Sequence, residues 1–134
     1  MNSAAFDIMQ FLNDAGYGSA GTDLFSFEWG QDQNGEVDRQ TLVLDQDAIT
    51  SDLKEHYEQP VFQILVRGNK RDSGKIVYDR ARLIFEFMIA QGTPTINGTE
   101  YLEFEPISSV SLIGRDDNDR FVATMNFYTY RNPV

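Results

Sequence analysis

The stretch from Pro60 to Gln91 constrains the fold most, because it reads as a strand, a charged turn and the longest helix in direct succession. Residues 60–67 are rich in β-branched and aromatic side chains and are bounded by Pro60 and Gly68, which predicts a strand. Phe62, Ile64 and Val66 share one face, and Val61 and Leu65 share the other. A strand apolar on both faces is covered on both and belongs in the middle of its sheet. Gly68 to Gly74 is polar and predicts a turn, after which Ser73 can cap a helix that runs to about Gln91 and stops at Gly92 and Pro94. At about 100° per residue, Ile76, Val77, Ala81, Leu83, Ile84, Phe85, Phe87, Met88 and Ile89 leave only a narrow polar stripe at Lys75, Asp79, Arg82 and Glu86. One sheet covers a stripe of only about 100°. The surplus must face a second helix, another subunit, or both.

A chain of 134 residues predicts a single domain, 1–134, able to bury a core. Its 41% hydrophobic content and ten Phe predict a folded globule. Eleven Lys and Arg against 21 Asp and Glu give a net charge of −10. That balance disfavours general nucleic-acid binding, which needs cationic contacts to phosphate, and adhesion to an anionic membrane. No apolar run approaches the ~20 residues of a spanning helix. The N-terminus lacks the basic, apolar and small-residue layout of a signal peptide. With no cysteine there is no disulfide, thiolate metal site or Cys nucleophile.

Asn2 or Ser3 can cap a first helix, Ala4 to Ala15, with an ordinary amphipathic stripe that suits it to pack beside the wide-faced helix. A glycine-rich loop, 16–21, leads to a strand over Leu24 to Trp29, a polar turn over 31–38, and a short strand over Thr41 to Leu44. Asp45 to Gln59 is acidic and weakly patterned, which predicts an extended loop or a loop with one helical turn. Beyond the long helix, Asn97-Gly98 is a strong hairpin signal between Thr93–Ile96 and Thr99–Phe104. Ile107–Ile113 and Arg120–Tyr130 predict an antiparallel pair, with Phe121, Ala123, Met125 and Phe127 on one face of the last strand. The order implies an α+β fold: a mixed, mostly antiparallel sheet with two helices packed on one face.

Chemical motifs are weak. Gly16, Gly18 and Gly21 match the dinucleotide glycine pattern, but a helix precedes them and a strand follows, the reverse of what pyrophosphate binding requires. Ser51 and Lys54 match a Ser-x-x-Lys pattern with nothing else of that chemistry. Asn97-Gly98-Thr99 is a formal glycosylation sequon that reads better as a turn. Asp116, Asp117 and Asp119 lack the glycine and bidentate glutamate of a calcium loop. His56 has no partner histidine. No catalytic residue, cofactor or metal follows from the sequence. Two features stand out: the basic cluster Arg67, Lys70, Arg71 and Lys75, and the aromatic end 125–130. Lys75 is electrostatically disfavoured near a helix N-terminus, and an acidic surface on another copy would offset that.

The succession of short motifs resembles a known family. Gly21-Thr-Asp-Leu-Phe25 follows a short helix; Pro60 to Gly68 precedes a helix with Tyr78 and Ala81-Arg-Leu-Ile84; then come Thr95-Ile-Asn-Gly98, Tyr101, Ile113-Gly-Arg-Asp116 and Asn126-Phe-Tyr-Thr-Tyr-Arg131. Together these resemble the minor capsid or tail terminator proteins of long-tailed bacteriophages, over most of the chain; 30–39 and 45–59 match nothing in the pattern. The resemblance implies a non-enzymatic virion subunit, made in the host cytoplasm, that forms a ring, typically a hexamer. The ring caps the tail tube, ends its polymerisation and meets the head-completion or connector protein. Acidic loops lining its hole would let DNA pass without sequence-specific binding. Arg67, Lys70 and Arg71, with Arg115 and Asp116, are the candidate subunit or tail-tube interface, the first three facing an acidic stretch such as 45–58 of a neighbour. Two other classes stay open: a small-molecule-binding or enzymatic domain with its site near the glycine loop 16–21, and a host adaptor domain that binds through residues 128–131.

Overall fold

The structure, a computed structural model, describes residues 2–30, 39–49 and 58–132, with the backbone alone for 47–49. The elements are α1 (Ala4–Asp14), β1 (Leu24–Ser26), β2 (Gln40–Ile49), β3 (Gln59–Arg67), α2 (Gly74–Ile89), β4 (Thr95–Ile96), β5 (Thr99–Glu100), β6 (Glu105–Arg115) and β7 (Phe121–Tyr128). Five strands form one sheet in the order β1-β2-β3-β7-β6, and β4 pairs with β5 in a separate hairpin. Only β1–β2 is parallel; the other pairings are antiparallel. The fold is α+β, and β3 occupies the centre, as its two apolar faces require.

Both helices cover one face. Phe62, Ile64 and Val66 of β3 stand opposite Phe127, Met125 and Ala123 of β7, and all six are buried beneath helix residues such as Ile8, Leu12, Val77, Ala81 and Met88. α1 lies over β1 and β2, and α2 lies over β6 and β7. The helices meet through rings: Phe87 packs 5.3 Å from Phe11 and 4.8 Å from Tyr17, centroid to centroid. Each helix is capped by the serine before it, Ser3 Oγ accepting from Phe6 N–H and Ser73 Oγ from Ile76 N–H. The Asp45 carboxylate also accepts from Ala5 N–H, placing negative charge on the first turn of α1.

Three elements differ from the sequence expectation. β1 ends at Ser26 rather than Trp29, because Phe27 turns the chain with φ 74°. β2 is no short strand: it runs to Ile49, so the expected loop begins within it, and Asp45 and Gln46 pair with Phe62 and Val61 before a bulge. Their polar side chains hid a ladder that the apolar strand β3 supports. The hairpin arms around Asn97 (φ 50°) and Gly98 (φ 82°) are only two residues each. Ser51, Lys54 and His56 lie outside the described residues.

The second face of the sheet is partly roofed by residues 29–30. Trp29 stacks 4.4 Å from the Arg67 guanidinium carbon, and Gly30 N–H donates to Gln40 Oε1 at 3.1 Å. Leu42, Gln40, Arg67 and Val122 are buried on this side.

Candidate functional site

The basic cluster divides on folding. Arg67 ends β3 with its side chain on the second face, only 3% exposed beneath Trp29, so it is an internal residue of the folded chain. Strand alternation put it there: Val66 faces the helices, so Arg67 must face away. Lys70 and Arg71 occupy the tip of the following turn and are exposed. That turn is tightly built. Asn69 Oδ1 accepts from the N–H groups of Arg71 and Asp72, both at 2.9 Å. The buried Asp72 carboxylate accepts from Asn69 N–H at 3.0 Å and from Arg39 at 2.7 and 2.5 Å. The Arg39 hydrogen bonds, aided by Asn69 N–H and the nearby charges of Arg39 and Arg80, outweigh burial and hold the Asp72 carboxyl below the usual aspartate range. Gly68 is required here, since a Cβ would lie 2.5 Å from Val77 Cγ2 and 2.9 Å from Asp72 Cβ.

Arg115 and Asp116 sit at the turn between β6 and β7, at the same end of the sheet, where Gly68 N–H donates to the Phe121 carbonyl at 3.0 Å. Arg115 is exposed, pairs with Asp119 at 2.7 Å and lies over the Phe121 ring. Asp116 is engaged internally by the Arg120 side chain at 2.7 Å and by the N–H groups of Arg120 and Asn118. Burial alone would raise this carboxyl, but those hydrogen bonds hold it below its ordinary value. The three-aspartate turn is therefore organised around an arginine. Lys75 answers its unfavourable position with Asp79, one turn on, at 2.5 Å.

The glycine loop is closed to a phosphate by its own hydrogen bonds. Ser19 N–H donates to Asp23 Oδ1 at 2.6 Å, Ala20 N–H to Asn13 Oδ1 at 2.9 Å, and Gly21 N–H to Leu24 carbonyl at 2.9 Å. Three of the amides that a phosphate would need, those of Ser19, Ala20 and Gly21, are thereby already used. In the end 128–131, Thr129 and Arg131 are tied inward while Tyr130 stays exposed. Thr129 is buried and donates to Leu102 carbonyl, and Arg131 bonds to Glu58, Tyr101 and the Asn2 carbonyl. Tyr101 Oη in turn donates to Asp7 at 2.5 Å, and Asn97 Nδ2 donates to the same carboxylate at 2.9 Å. Burial, reinforced by Asp7, pushes the Tyr101 phenol above its ordinary value. This cluster joins α1, the β4–β5 hairpin and the C-terminal segment; no single sequence motif marks it.

What remains unabsorbed is on the outside of α2 and at the sheet edges. Ile76, Leu83 and Ile89 of α2 are exposed, as are Ile107, Leu112 and Ile113 of the edge strand β6. At the opposite edge, Phe27 is 59% exposed on a left-handed backbone, a conformation that costs a bulky residue roughly 1–3 kcal/mol. Between Ile76 and Leu83 lies Arg80, half-buried, whose Nη1 is fully buried and has no hydrogen-bond partner among the described residues. Burial and the neighbouring Arg39 charge lower its pKa against the pull of Asp72 and Asp23. The sequence reading missed Arg80; its position one turn from both Ile76 and Leu83 was the available signal.

This architecture has its helices on one face, its glycine loop self-satisfied and its spare apolar surface outside, as a subunit of a larger structure does. The bacteriophage tail terminator family model matches residues 11–132, and the chain belongs to that family. No curated protein matches it. The family is one of structural proteins of the phage tail rather than of enzymes, which places the chain in the virion among other tail components.

Proposed function

We propose that this single-domain chain forms a ring, a hexamer by the resemblance, that caps the tail tube, ends its polymerisation and joins the tail to the head-completion or connector protein. The observation that carries this is the family match across 11–132. Supporting it is the placement of different exposed apolar groups at opposite sheet edges, Phe27 beyond β1 and Ile107 and Ile113 on β6. Unlike surfaces at two ends of one subunit suit head-to-tail contacts, which close into a ring when the rotation allows. In this reading Lys70 and Arg71, with Arg115 and Asp116 at the other turn, face the neighbour or the tube, and Arg67 supports them from within. The net charge of −10 suits a passage that DNA crosses without sticking.

Electron microscopy of the full chain, alone and on tails, tests this. Rings with a central hole, their fraction reduced by charge reversal at Lys70 and Arg71, are the expected result. Tails that end at normal length and join heads without this protein would overturn it.

A further inference from the structure

The outer stripe of α2 and the Phe27-Glu28 corner are complementary in a way one chain does not use. Ile76, Arg80 and Leu83 are spaced four and three residues apart, so they form one line along the helix. The two aliphatic members are exposed, and the cation between them keeps a buried N–H without a partner among the described residues. The adjoining polar stripe is self-neutralised by Lys75–Asp79 and Arg82–Glu86, so it neither repels nor attracts an acidic visitor. At the other side of the sheet, β1 is followed by Phe27, an exposed aromatic held out on a strained backbone, and then at once by the exposed carboxylate of Glu28. A copy carrying a charge of −10 can approach another only where local charge permits, and a half-buried guanidinium flanked by apolar groups is such a place.

We infer that Phe27 and Glu28 of one copy dock on the Ile76–Arg80–Leu83 stripe of the next, with the phenyl ring on the two aliphatic side chains and the carboxylate on Arg80. The contact joins two different surfaces, so each copy both gives and receives, and it brings a carboxylate to a cation set between apolar groups on an otherwise acidic chain. It also accounts for the backbone at Phe27: the strain holds an anchor aromatic in place before the partner arrives. The inference rests on the ring reading for its closure but not for the contact itself.

The test is a charge swap on the full-length chain, read by analytical ultracentrifugation with micrographs of the same samples. Arg80→Glu and Glu28→Arg should each weaken self-association by roughly tenfold or more, and the double variant should regain most of it. Phe27→Gly guards against misfolding as the cause: glycine accepts the positive φ freely, so the monomer should melt no lower than the wild type while association falls by a similar factor. Single variants that associate as the wild type does, or a double variant that gains nothing, would overturn the contact, as would a wild-type chain that stays monomeric. Rings that ignore all these substitutions would refute the contact and leave the ring standing. Open, unclosed chains that follow the swap would confirm the contact and refute the ring.

Discussion

The two helices solve the same problem differently. α1, 11 residues long, buries Ala4, Ala5, Ile8, Met9 and Leu12, and its buried charge, Asp7, is met by Tyr101, Asn97 and Asn2. α2, 16 residues long, buries Val77, Ala81, Ile84, Phe85 and Met88, yet leaves Ile76, Leu83 and Ile89 outside and Arg80 incompletely bonded. Both are capped by serine and both lie on the same sheet face, so the difference is not one of local helix formation. It lies in what each helix still has to offer. The sequence of α1 is explained by the stability of a single chain, whereas that of α2 is explained only in part.

The sharpest way to break this contrast is to truncate one leucine on each helix. Leu12 is fully buried, so Leu12→Ala should cost about 2–5 kcal/mol in urea unfolding, the lost transfer energy plus the cavity. Leu83 is 60% exposed, and Leu83→Ala should leave monomer stability within about 0.5 kcal/mol while impairing assembly. A Leu83 variant as unstable as the Leu12 variant would mean that α2 is as internal as α1.

The buried charges separate the helices next. Asp7→Ala removes the acceptor of the buried Tyr101 hydroxyl, while exposed Asn97 can turn to water, and should cost about 1–3 kcal/mol. Arg80→Met keeps the stem and removes a polar head that lacks one partner, so the isolated chain should be unchanged or more stable. Thermal melts of both variants check the pair. A large loss at Arg80 would show that the guanidinium is already fully employed within the chain.

How much of this was legible beforehand follows from the physics of each signal. The centrality of β3 and the surplus on α2 could be read because apolar periodicity reports burial directly, and the alternation of β7 held residue by residue from Phe121 to Phe127. The extension of β2 through Asp45 and Gln46 was hidden, since ladder hydrogen bonds are made by backbone and do not require apolar side chains. Arg67 read as part of a surface cluster because charge in a sequence does not reveal an aromatic neighbour 38 residues away; the strand alternation that places it opposite Val66 was the better guide. Asp7, Tyr101 and Arg131 meet only through tertiary structure, and no spacing could have joined them.

The smallest expected effect concerns the turn that anchors the start of α2, and its size depends on pH. Asp72 is buried, receives Arg39 and the Asn69 N–H, and titrates below the ordinary aspartate value. Its unfolded counterpart titrates near ~3.9. The stabilisation is therefore complete above that value and disappears as pH falls through the lower folded one, because the unfolded chain takes up the proton first. Asp72→Asn removes the charge while keeping the shape, so the variant should be less stable than the wild type by about 1–2 kcal/mol at neutral pH, half-exposed Arg39 having water as an alternative partner. Acidification should close that gap, since the wild type then loses what the variant never had. A gap that stayed constant into strong acid would show that the Arg39–Asp72 pair does not hold the turn, and α2 would have to be anchored by its buried face alone.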